Sequence, residues 1–101
     1  ELIEVEVGKF ELVQVFFRKK NDYIIGGKVT NGKMENKIKA KILRKDIEIG
    51  KGEITSLQKV DKKVSEIKEG NECGMKFTTN IELNPGDIFI GYRMETKKVT
   101  L

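Results

Sequence analysis

Apolar residues recur along this chain with a two-residue period that short polar clusters keep breaking, which is the pattern of strands separated by turns. Glu1 to Val7 alternates imperfectly up to Gly8 and reads as a linker or a first strand. Phe10 to Phe17 is an apolar run interrupted by Glu11 and Gln14, and the charged residues 18–22 close it as a turn. Tyr23 to Val29 reads as the next strand, with Asn31-Gly32 as its turn because both residues tolerate positive φ. From Lys37 strict alternation puts Ile38, Ala40 and Ile42 on one face and Lys37, Lys39 and Lys41 on the other. Lys45-Asp46 turns into a strand over Ile47 to Lys59, where Gly50 and Gly52 predict a bend or bulge. Val64 to Ile67 is short, Glu72 to Thr78 is the following strand, and Asn84-Pro85-Gly86-Asp87 is a turn. Ile88 to Met94 ends the series, with 95–101 as a polar tail.

Seven or so short strands without crossover helices predict an all-β domain built from antiparallel hairpins, either a small closed barrel or a sandwich. Closure into a barrel removes exposed strand edges, which a domain this small is poorly able to cover otherwise. At 101 residues one domain and one hydrophobic core are expected.

Composition narrows the chemistry. One cysteine and no histidine leave no zinc site and remove the commonest general base near neutral pH, so catalysis starts at a disadvantage. The lone Cys73 excludes an internal disulfide and fits a reducing compartment. No apolar run is long enough for a membrane helix and no signal peptide opens the chain. The chain does not start with Met and reads as a fragment of a larger multidomain protein. Charge is uneven: residues 28–63 hold 11 Lys or Arg against 5 Asp or Glu, while the remainder holds 9 against 11. A basic middle favours a polyanionic partner, although lysines that merely keep a small β domain soluble account for it as well.

Three stretches in order carry a resemblance to the second barrel of the translational GTPases. They are Tyr23-Ile-Ile-Gly-Gly-Lys-Val-Thr-Asn-Gly32, the long run from Gly52 to Val64, and Lys68-Glu-Gly-Asn-Glu-Cys-Gly-Met75 followed by a Pro-Gly-Asp turn. Within that superfamily, Gly70-Asn71-Glu72-Cys73-Gly74 and the ending soon after Gly91-Tyr-Arg-Met-Glu resemble the C-terminal domain of bacterial initiation factor 2. The resemblance implies a cytoplasmic domain that binds the formylmethionyl-adenosine end of the initiator tRNA and meets the ribosome through its parent protein. It also implies that GTP and magnesium belong to a separate domain of the parent. No Gly-rich loop ending in Gly-Lys-Ser or Gly-Lys-Thr occurs here, so no nucleotide hydrolysis, and no cofactor, is expected of this chain.

Carried over by position, the resemblance singles out Gly27, Gln58, Lys59, Glu72, Cys73 and Gly74 as initiator-tRNA-binding residues. Gly74 would let backbone approach the ligand closely, Cys73 would line an apolar pocket for the methionine, and Glu72 would accept hydrogen bonds from ribose hydroxyls. The plainer reading of Cys73 is a packed core residue. Gly27 stands where family members commonly carry Cys, and its plainer reading is a crowded barrel corner. Gln58-Lys59-Val60-Asp61 departs from the Lys-Arg-aromatic-Lys stretch of well-known members, and Lys62 and Lys63 could restore a phosphate contact by a shifted register. Lys37, Lys39 and Lys41 could track phosphates or simply form a solvated face. Phe16, Phe17, Tyr23, Phe77, Phe89 and Tyr92 read as core. The expected function is a monomeric aminoacyl-end binding module. The alternative is a docking barrel that touches the ribosome or a protein without an aminoacyl pocket.

Overall fold

The computed structural model describes residues 2–59 and 62–96. Its elements are β1 (Leu2–Lys19), β2 (Asp22–Glu35), β3 (Lys39–Arg44), β4 (Ile47–Lys59), β5 (Lys62–Val64), β6 (Glu66–Lys68), β7 (Glu72–Thr78) and β8 (Ile88–Thr96). The pairing order is β1-β8-β3-β4-β7-β2, and β1 also pairs with β2, so these six strands close into a ring. Every ladder in it is antiparallel. The all-β expectation and the closure therefore hold together. β6 adds to β2 and β5 to β4 at the margin of the ring.

The ring is filled by the inward members of each alternation. Phe10, Leu12, Ile25, Val29, Ile42, Ile54, Leu57, Met75, Phe77 and Phe89 are buried. The Phe77 and Phe89 rings stack at a tilt with centroids 4.6 Å apart, and Phe10 meets Phe89 at 5.6 Å. Burying each of these rings contributes on the order of 1.5–3 kcal/mol relative to leaving it in water.

Three expectations change. Of the two readings of the first residues the strand holds and the linker does not, but the strand does not end at Gly8: Leu2 to Lys19 is one long strand whose first half pairs with β8 and whose second half pairs with β2. β2 runs through Asn31-Gly32 to Glu35: Gly32 does take a φ of 60°, but inside the strand, packed against Gly8. The reversal comes later, at residues 36–38, where Lys37 has a φ of 61°. Phe16 and Phe17 are not core: they are 60% and 55% exposed. The cause is a pair of irregularities in the β1–β2 register, between Leu12 and Gln14 and between Val15 and Phe17. A bulge resets the inward–outward alternation, so successive phenylalanines both end up outside.

The turns behave as their residues dictate. Lys45 and Asp46 both have positive φ, at 52° and 65°, and join β3 to β4 in two residues. Gly86 takes a φ of 97° in the turn before β8. The carboxylate of Asp87, 2% exposed, accepts hydrogen bonds from Arg44 Nε and Nη2, each at 2.9 Å, and from the Asn84 backbone N–H at 2.9 Å.

Candidate functional site

An open cleft of about 430 Å³ lies on the outer surface of the ring, over the strands β1, β2, β7 and β4. Its floor is the rung where Gly26 of β2 pairs with Gly74 of β7, and on the far side Gly74 pairs with Gln58 of β4. Two glycines side by side leave a stretch of sheet without side chains. A Cβ at Gly74 would meet only the Ile25 carbonyl oxygen, at 3.6 Å. A Cβ at Gly26 would come within 2.6 Å of the Phe16 ring, which leans over it. Val13, Gln14 and Phe16 of β1 form one wall, Gln58 stands on the other, and Glu72 lies at the end of β7 that opens the cleft.

Five of the six residues singled out from the sequence line this one cleft: Gly27, Gln58, Glu72, Cys73 and Gly74. They converge because β7 is sandwiched between β2 and β4, with Gly27 opposite Cys73 and Gln58 opposite Gly74. Lys59 does not line it. Alternation turns Lys59 to the other face of β4, where its ammonium donates to Asn71 Oδ1 at 3.4 Å in a shallow hollow shared with Lys68. Lys63 pairs with Gln58 across β4 and β5, so it sits on the cleft's face, one strand further out. Val60 and Asp61, part of the departure from the family stretch, lie outside the described residues.

Cys73 and Gly27 each serve the packing as well as the cleft. Cys73 is 7% exposed and belongs to the core cluster; burial pushes its thiol up to about 11, so it is neutral and unreactive near pH 7. It contributes floor, not a reactive group. A Cβ at Gly27 would collide with the backbone oxygen of Glu11 and with the Phe10 ring. The close approach of β1 therefore demands glycine there, whatever else the position does. Sequence reasoning missed Val13, Gln14, Phe16 and Gly26. Gly26-Gly27 carried a signal, being paired glycines within a strand. The β1 residues carried none, because the bulges that bring them to the cleft rim depend on register with β2.

Several charged residues away from this cleft are committed to ion pairs. Lys33 of β2 pairs with Glu66 at 2.9 Å and Glu35 at 3.2 Å, which raises its pKa and lowers that of Glu66. Of the basic β3 face, Lys41 is held by Glu4 and lies 5.5 Å from the Tyr92 ring centroid. Among the described residues, no group of three His, Cys, Asp or Glu could hold a metal ion, and no helix is long and apolar enough to cross a membrane.

The family model described as elongation factor Tu domain 4 matches residues 6–91, which hold most of the ring and all of the residues that line its cleft. The chain belongs to that family. Its relatives extend the match to both described ends. Translation initiation factor IF-2 of Rhizorhabdus wittichii is 34% identical over 101 residues, covering 100% of this chain and 12% of that protein. IF-2 of Zymomonas mobilis is likewise 34% identical over 101 residues, covering 100% of this chain and 10% of that protein. IF-2 of Nitrobacter winogradskyi is 30% identical over 95 residues, covering 94% of this chain and 11% of that protein. The chain thus spans about a tenth of the length of the curated relatives it matches. Among solved structures, elongation factor SelB from Methanococcus maripaludis in its apo form superposes with a TM-score of 0.70 at 22% identity, over 82% of this chain and 18% of that one. The GTPase-like domain of Saccharomyces cerevisiae Ski7 superposes with a TM-score of 0.62 at 14% identity, over 87% of this chain and 23% of that one. At those identities the likeness is one of fold. The chain is a translation-factor β domain.

Proposed function

We propose that this domain acts in translation initiation by holding the formylmethionyl-adenosine end of the initiator tRNA in the cleft over Gly26 and Gly74. The observation that carries the reading is the convergence of Gly27, Gln58, Glu72, Cys73 and Gly74 on one cleft from three separate strands. The chemistry is compatible. The bare glycine rung accepts a flat group against backbone. The methionine side chain meets Val13 and the Phe16 ring, where thioether–aromatic contact is favourable. The Glu72 carboxylate accepts hydrogen bonds from ribose hydroxyls. The cleft acts passively, ordering the ester and screening it from water. Preference for the formylated end follows from desolvation, because an unblocked amine would bring an ammonium against the apolar wall of Val13 and Phe16 while the one carboxylate of the lining, Glu72, is engaged by the ribose. GTP, magnesium and ribosome contacts belong, in this reading, to other parts of the parent protein.

Titration with formylmethionyl-, methionyl- and deacylated initiator tRNA tests it. Affinity is expected to fall in that order, and equal affinity for all three would sink the reading. A docking domain without an aminoacyl pocket draws on a different observation, the exposed Val13, Phe16, Phe17 and Ile24. NMR shifts on adding formylmethionyl-adenosine separate the two, since a pure docking surface leaves the Cys73 and Gly74 amides unmoved.

A further inference from the structure

A second cleft, of about 380 Å³, continues the first along the same outer face. Its central rung is Ile24 paired with Lys76, two residues along β2 and β7 from the Gly26–Gly74 rung. That places the two centres about 6.8 Å apart, roughly twice the 3.4 Å spacing of stacked nucleotides and suited to a strand whose bases are splayed. The bulge in β1 gives each cleft its own exposed ring: Phe16 lines the first and Phe17 the second.

The two clefts differ in charge. The lining of the first includes no Lys or Arg and one carboxylate, Glu72. The second is lined by Lys19 and Lys76 against the single carboxylate Asp22, whose Oδ1 accepts a hydrogen bond from the Thr78 hydroxyl at 2.9 Å. Among the described residues Lys19 and Lys76 form no ion pair, whereas Lys33, Lys41, Arg44 and Arg93 are each held by a carboxylate. An aromatic face flanked by two uncommitted ammonium groups is what a base and its phosphate require of a single-strand site.

We infer that the second cleft binds the nucleotide preceding the terminal adenosine, its base against Phe17 and its phosphate between Lys19 and Lys76. This rests on the first cleft holding the acylated end. The cleft without Lys or Arg takes the uncharged acyl terminus, the basic cleft takes the phosphodiester, and the strand leaves along β2 and β7.

Equilibrium binding of the 101-residue chain to formylmethionyl-adenosine and to formylmethionyl-cytidylyl-adenosine tests the inference. The dinucleotide ester is expected to bind at least about fivefold more tightly, the lower end of what one stacked base contributes. Phe17→Ala and Lys76→Gln should each reduce that advantage while leaving affinity for formylmethionyl-adenosine within about twofold, because an exposed stacking ring and an exposed phosphate contact add locally. For Lys76→Gln the slope of log affinity against log salt for the dinucleotide should flatten by about 0.7. Phe17 and Lys76 are exposed, so both variants should fold, and far-UV circular dichroism checks that they do. If both esters bind equally well, the first cleft stands and the second-site inference is overturned. If neither binds, both fall. If Lys63→Gln removes the advantage and Lys76→Gln does not, the strand crosses towards β5 and the inference is again overturned.

Discussion

A methyl group added at Gly74 would touch only the carbonyl oxygen of Ile25, at 3.6 Å, and would otherwise stand in the cleft. One added at Gly27, on the neighbouring rung, would strike the backbone of Glu11. The same substitution therefore has opposite consequences at two positions that the sequence treats alike. Gly74→Ala should raise stability by about 0.5–1 kcal/mol, since glycine in a strand carries an entropic cost, while weakening binding of formylmethionyl-adenosine. Gly27→Ala should lower stability by about 1–3 kcal/mol through overpacking. Paired urea denaturation and ligand titration on both variants read the contrast; a loss of stability in Gly74→Ala would show that the glycine serves the fold and not the cleft.

At the scale of elements, the strands that follow clear turn residues were the legible ones. The runs Ile47 to Lys59 and Glu72 to Thr78 coincide with β4 and β7, because Lys45-Asp46 and Gly70-Asn71 mark where each begins, although the β4 ladders are irregular opposite Ile42–Leu43 and between Ile54 and Ser56. The β7 side of the cleft was legible for a different reason, the family resemblance carried by Gly70-Asn71-Glu72-Cys73-Gly74. β1 could not be read in this way. Its two register irregularities leave no trace in composition, yet they decide that Phe16 and Phe17 face outward and that Val13 and Gln14 reach the cleft. Asn31-Gly32 misled for a related reason: Gly32 adopts the positive φ its type permits, but β6 and β1 pair with the chain on both sides of it and keep it in the strand. β6, only three residues long, is joined to β2 by its ladder and by the contact of Lys33 with Glu66. Glu66 is lowered and Lys33 raised by that contact. The Glu66 contribution is present above the ordinary glutamate value of 4.5 and is lost as pH falls through its depressed one. The Lys33 contribution is present below 10.5 and is lost as pH rises through its elevated one. Lys33→Gln should accordingly flatten the decline in urea midpoint on acidification below about pH 4.5; an unchanged acid limb would show that the contact does not couple to folding.

At the scale of the whole molecule, ring closure converges on Asp87. Its carboxylate holds Arg44 of β3 and caps the turn at Asn84. Its backbone oxygen accepts from Leu12 N–H at 2.9 Å, and Gly86 N–H donates to the Leu12 oxygen at 2.7 Å, which binds the same turn to β1. Asp87→Ala removes a buried, fully partnered acceptor and should cost about 2–3 kcal/mol. For a domain of this size that corresponds to a fall in Tm of roughly 8–24 °C, to be measured by thermal melting followed at a β-sheet band. A shift of only a degree or two would mean that the backbone contacts alone close the ring.

Leu2 pairs directly with Thr96, at the outer end of the β1–β8 ladder. The two strands through which any flanking sequence must pass are thus neighbours, lying within one interstrand spacing of about 5 Å. Tension applied through both of them would not be shared across the ring. It would load the hydrogen bonds of that ladder one rung after another, from Leu2–Thr96 inward, the geometry of a zipper and not of a sheared joint. Mechanically the domain behaves as a bead hung from a single point: weak against a pull that separates its two ends, and free to swing as a unit when they move together.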